Sequence, residues 1–144
     1  MKLSICIAGL CSLALVAAGC GDDNDTLSYD DTGTEISAIC DEVDFTGLTG
    51  DPKNDAPVLA EVVPTFEDAV QEVEDLEVDE ELETDRDAFV ANGNEQVAVI
   101  KEAQAIAESG DKKAYHRKLN EGEPLGKESD EIASRLGATG CIEN

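Results

Sequence analysis

The chain has 144 residues, enough for one small domain and too few for two. Acids outnumber Lys plus Arg by 34 to 10, and the net charge of −24 argues against nucleic acid as a partner, because a phosphate backbone needs a cationic footprint. Aromatic residues make up 3% of the chain and Trp is absent, so base stacking, carbohydrate platforms and aromatic cages lack the side chains they need.

The first element is an address. Lys2 supplies a positive charge, Leu3 to Val16 is apolar, and Ala17-Ala18-Gly19-Cys20 follows. The apolar run is shorter than a comfortable membrane span, and small residues precede the cut position of a signal peptide, here residues 1–19. A Cys directly after small residues resembles the lipobox of bacterial lipoproteins, with Ala17 where that box usually starts with Leu. The resemblance implies that Cys20 is acylated on sulfur and becomes the N-terminus, holding the chain on a membrane without spanning it. Residues 20–31, rich in Asp, then read as a hydrated tether, and residues 32–144 as the folded domain.

Thr32-Gly33-Thr34-Glu35 matches a capping box that opens a first helix, with Ile36, Ile39, Cys40 and Val43 at helical spacing and an end near Asp44. Gly47 to Asp55 is turn-rich. Asp55 is the expected cap of a second helix, whose stripe of Leu59, Val62, Val63, Phe66, Val70, Val73 and Leu76 is the clearest in the chain. Pro64 predicts a kink or restart within it. Asp79 can cap a third helix, with Glu80 and Glu81 at the positive end of its dipole and Leu82, Phe89, Val97, Ile100 and Ala107 facing inward. Gly93 weakens the middle of that helix by ~1 kcal/mol relative to Ala. Gly110 suits its C-terminal turn, and Asp111 caps a fourth helix carrying Tyr115, Leu119, Leu125, Ile132, Ala133 and Leu136. Pro124 predicts a break between Gly122 and Gly126, and Gly137 ends the helix.

No alternating β-branched run competes, so the expected class is all-α: an up-and-down bundle of about four helices. Cys6 and Cys11 leave with the signal and Cys20 is taken, which leaves Cys40 and Cys141. In an oxidising space two such cysteines pair, closing a loop of about 100 residues worth up to ~4.7 kcal/mol. A redox pair or metal site is the competing reading, although there is no C-x-x-C and no His at ligand spacing. Antiparallel first and fourth helices would bring the two cysteines together.

Chemistry-bearing patterns are sparse. Glu72, Glu74, Asp75, Glu77, Asp79, Glu80, Glu81, Glu83, Asp85 and Asp87 crowd the second interhelix junction, as a solvated face or a weak site for a hard cation, without a calcium-loop pattern. His116 lies among Lys112, Lys113, Arg117 and Lys118. It has no Glu three residues before it, so a di-iron site is excluded. That basic turn offsets acids on neighbouring helices, or meets anionic headgroups or a wall polymer. No nucleophile elbow or phosphate loop occurs; catalytic residues, metal ligands and cofactors are therefore expected to be none.

Four stretches are shared with a recognisable group: Ile36-x-x-Ile39-Cys40, Asp87-Ala88-Phe89, Ala107-Glu108-Ser109-Gly110-Asp111-Lys112-Lys113-Ala114-Tyr115, and Ala133-Ser134-Arg135-Leu136-Gly137-Ala138-Thr139-Gly140-Cys141. From signal to end the chain resembles small helical lipoproteins of actinobacteria, a group without assigned activity. The resemblance implies localisation and fold: a disulfide-clamped bundle on the outer face of a bacterial cell membrane. The expected role is a binding or structural module of the envelope, whose partner is an envelope protein or wall polymer. An envelope hydrolase using carboxylates and a weak divalent-cation binder are the alternatives.

Overall fold

The computed structural model describes residues 26–142. Four helices follow in order: α1 (Tyr29–Asp41), α2 (Pro52–Glu74), α3 (Glu80–Ser109) and α4 (Lys112–Arg135), then a single 3₁₀ turn (Thr139–Cys141). The protein is all-α, as expected. The three long helices pack antiparallel: Val70 of α2 meets Gly93 of α3, and Lys118 of α4 reaches Glu102 of α3. Their main core joins Val70 and Val73 of α2, Val90 and Val97 of α3, and Ile132 and Ala133 of α4. A smaller cluster of Leu59, Ala103, Ala107 and Tyr115 closes the α3–α4 end. Among the described residues no helix is long and apolar enough to cross a membrane.

Several termini differ from the expected ones. α1 starts at Tyr29 because Ser28 is its cap and accepts the Asp31 amide. Thr32 is buried inside the helix and donates its hydroxyl to the Leu27 carbonyl, so the expected capping box does not cap. Residues 26–28 are also held: the Leu27 amide donates to Glu77, the Asp79 amide donates to Leu27, and the Thr26 hydroxyl donates to the Asp79 carboxylate. Asp79 still occupies the cap position of α3, but its side chain serves Thr26 and makes no capping bond.

The cap of α2 is Asp51, not Asp55, with Pro52 at the first position, where a missing N–H costs nothing. α2 and α4 run on through Pro64 and Pro124 as continuous helices. Both prolines lie on exposed faces, where water can serve the carbonyl each leaves unpaired. Arg86 supplies the end of α2. Its guanidinium donates to the carbonyls of Glu74 and Leu76 and pairs with Asp87, placing a cation at the negative helix terminus.

The disulfide-clamped bundle of four helices is the expected one, but α1 does not lie along α4 as its chief neighbour. α1 packs on α2 and on the segment after α4, with its first turns against the end of α4. From there residues 137–141 run beside α1 in its own direction: Gly33 meets Gly137, Ser37 meets Gly140, and Cys40 is bonded to Cys141. The expected Cys40–Cys141 bridge is present, with Cα atoms 5.3 Å apart across a separation of 101 residues. It is reached because the tail climbs α1, as Cys40 lies in the last turn of that helix.

Gly33 makes this docking possible. A Cβ there would lie 2.6 Å from the Gly137 carbonyl oxygen, whereas a Cβ on Gly126 in α4 would meet nothing within 4 Å. Helix propensity predicts that Ala stabilises either position by about 1 kcal/mol. The structure separates them. Gly126→Ala is expected to gain about that amount, while Gly33→Ala is expected to lose about 1–3 kcal/mol because backbone must shift to admit the methyl. Chemical denaturation of both variants checks this, and equal stabilisation of the two would contradict the docking.

Candidate functional site

Two places combine chemistry with burial. The first is Asp55, 0% exposed, one turn into α2. Its Oδ1 accepts the Thr49 amide at 2.7 Å and the Thr49 hydroxyl at 2.8 Å. Its Oδ2 accepts the Gly50 amide and the Tyr115 hydroxyl, each at 2.9 Å. Burial pushes the carboxyl up, but the bonds from Thr49, Tyr115 and Gly50 outweigh it and hold the group below the usual carboxylate range. Tyr115, also 0% exposed, is driven far above the ordinary phenol value by burial first and then by the hydrogen bond and charge of Asp55. Every donor around this carboxylate belongs to the α1–α2 loop or to α4. The cluster therefore fastens that loop and the α4 start to α2.

The second is a cleft of about 240 Å³ beside the disulfide. α3 forms its floor through Phe89, Gly93 and Gln96, α2 one wall through Phe66, Val70 and Val73, and α4 the other through Gly126, Ser129 and Asp130. Cys40, Val43 and Phe45 close it from the α1 side, with Cys141 and Ile142 of the tail. At Gly93 α3 packs tightly on α2, since a Cβ there would come within 2.8 Å of Val70 Cγ2; its cost to helix propensity has a packing reason. Phe45 remains 39% exposed and meets Phe66 edge to face at 5.8 Å. Gln96 is fixed along the floor, its amide donating to Asn92 Oδ1 at 2.6 Å while Asn92 donates to the Leu125 carbonyl.

The chain contains three phenylalanines, and all three line this cleft. Composition reads aromatic side chains as too scarce for a platform, yet the fold gathers those present onto one opening. Phe66 and Phe89 sit on the expected apolar stripes. Phe45 lies in the loop and carried no periodic signal.

Compared with family models, curated proteins and solved structures, the chain matches none.

Of the sites expected from sequence, Cys40 and Cys141 are bonded at the cleft wall, whereas the signal segment 1–19 and Cys20 lie outside the described residues. Among the described residues no group of three or more His, Cys, Asp or Glu is arranged to hold a metal ion. The acids between Glu72 and Asp87 border the α2–α3 turn. Lys112, Lys113, His116 and Arg117 are exposed at the start of α4, and Lys112 approaches Asp51 at 3.9 Å. Lys118 lies between Glu102 and Glu121, 2.6 Å from each. Its hydrogen bonds to these two carboxylates raise its affinity for the proton, and Lys118 in turn lowers that of Glu121.

Proposed function

We propose that this protein is an exported binding module, anchored by lipid on Cys20 to the outer face of a bacterial cell membrane, that holds a small apolar ligand in the cleft beside its disulfide. It is read as one of the actinobacterial-type lipoproteins its sequence resembles. The observation that carries the binding role is the convergence of all three phenylalanines and the Cys40–Cys141 bridge on one cleft of about 240 Å³. A ring fits a cavity of ~150 Å³, so this space suits a ring with a short extension or a chain of about six to eight carbons. Burial of such a chain at ~0.8 kcal/mol per methylene supplies roughly 5–6 kcal/mol before the costs of association are subtracted, which makes the expected binding weak, on the order of millimolar.

The anchor also bears on how the body stands. Thr26 and Leu27 are attached at the α2–α3 turn, while the basic turn of α4 begins at the other end of α3, whose 30 residues span about 45 Å. Six residues from Cys20 to Thr26 reach about 20 Å at full extension. An upright body therefore holds Lys112, Lys113 and Arg117 well beyond the headgroups, facing an anionic wall polymer or envelope protein.

Two measurements test the reading. Cys20→Ser is expected to move the protein from the membrane to the aqueous fraction, and continued membrane partitioning would defeat the anchor. A neutral naphthylamine dye titrated into the purified protein is expected to brighten saturably. Phe45→Ser, at an exposed position, should weaken it at least about fivefold, roughly the 1 kcal/mol of one partly buried aromatic contact. An unsaturable signal, or one indifferent to Phe45, would defeat the binding role.

A further inference from the structure

The charge around the cleft restricts what its ligand carries at the polar end. Among the described lining residues there is one charged side chain, the carboxylate of Asp130, and no Lys, Arg or His. Ser129 and Gln96 are the lining polar groups nearest it in kind, and the remaining walls are apolar or glycine. Asp41, Glu42 and Asp44 follow Cys40 on the α1 side and Glu128 and Glu131 flank the α4 wall, all of them exposed, against Lys127 as the neighbouring cation. Lys101 of α3 is paired with Glu67. The whole chain carries −24.

A ligand that buries an apolar chain between the phenylalanines leaves its head at this mouth, where acids outnumber the neighbouring cation. A carboxylate head is repelled there, a hydroxyl is indifferent, and an ammonium is attracted. Asp130 is engaged within the fold, and its carboxylate adds to the acidic side chains around the mouth. The edge-to-face pair of Phe45 and Phe66 adds aromatic faces on which a cation is favoured over an anion.

We infer that the cleft is selective for amphiphiles with a cationic amine head on a short apolar chain. This rests on the binding role proposed above and names the class of ligand for that same cleft.

The test uses the purified protein, the neutral dye already described, and three competitors of equal chain length: n-octylamine, n-octanol and n-octanoate. At low salt octylamine is expected to displace the dye at about tenfold lower concentration than octanol, a difference of about 1.4 kcal/mol, with octanoate weakest. Raising the salt should shrink the amine advantage severalfold while leaving octanol unchanged. Asp130→Asn, which removes one negative charge from the lining, should narrow the octylamine advantage over octanol at least about twofold. Ethylamine, with the same head and almost no chain, is expected to displace nothing. If octanol competes and octylamine is no better, or if ethylamine competes as well as octylamine, the charge selectivity is overturned while the cleft's binding role stands. If the dye itself does not bind, the binding role falls first, by the separate measurement on Phe45.

Discussion

Asp55→Ala is expected to cost about 3 kcal/mol of folding stability. The substitution leaves the Thr49 and Gly50 amides and the Tyr115 hydroxyl without their acceptor, and each buried unpaired donor costs about 1–3 kcal/mol, partly offset by no longer burying a charge. Asn does not rescue the site. Each carboxylate oxygen accepts two donors, and an amide nitrogen in place of one of them would face N–H or O–H groups of the same polarity. Tyr115→Phe removes a single bond to a charged group and should cost less, about 1.5–3 kcal/mol. The pH dependence has a definite sign. The folded carboxyl titrates below its unfolded value near 3.9, so its stabilising contribution is complete above that value and is lost as the pH falls through the depressed folded value. Melting curves at pH 7 and in steps below pH 4 should therefore show the wild type and Asp55→Ala converging in acid. A constant difference between them would contradict an ionised Asp55.

Replacing both Cys40 and Cys141 by Ser is expected to cost about 2–5 kcal/mol, because the bridge closes a separation of 101 residues and restricts the unfolded chain. For a domain of this size that corresponds to a fall in melting temperature of about 10–20 °C, measurable equally by reducing the wild type. The structure adds a local consequence. Residues 137–141 and α1 hold one another, and Gly140 adds only a donated amide to the Ser37 hydroxyl at 3.1 Å. Amide exchange in α1 and in the tail should rise more than in α2 and α3, and dye binding should weaken because Cys40, Cys141 and Ile142 form one side of the cleft. An unchanged melt under reduction would remove the clamp from the account of stability.

Much of the architecture is written in local chemistry. The stripe from Leu59 to Val73 repeats at helical spacing because one face of α2 is buried, and Gly110 marks the end of α3 because it adopts φ 74°, which glycine enters without penalty. Asp111 caps α4 through the Ala114 amide, a bond spanning three residues. Such features need no knowledge of distant chain. The start of α2 differs from the expected one because a distant partner decides between two local choices. Asp51 and Asp55 are both plausible caps of α2, and the buried Tyr115 hydroxyl, sixty residues away, claims Asp55 for the core.

By itself the sequence determined that the chain is all-helical, that four helices lie between identifiable breaks, and that Cys40 and Cys141 are the two cysteines to pair, since periodicity, capping and cysteine count are properties of short segments or of composition. Only the tertiary structure decided that the tail climbs α1, that Gly33 is needed for backbone contact rather than tolerated, and that three scattered phenylalanines share one cleft. Those facts depend on which surfaces meet when the helices close on one another, and a cleft shared by residues as far apart as Phe45 and Cys141 leaves no mark in the spacing of either.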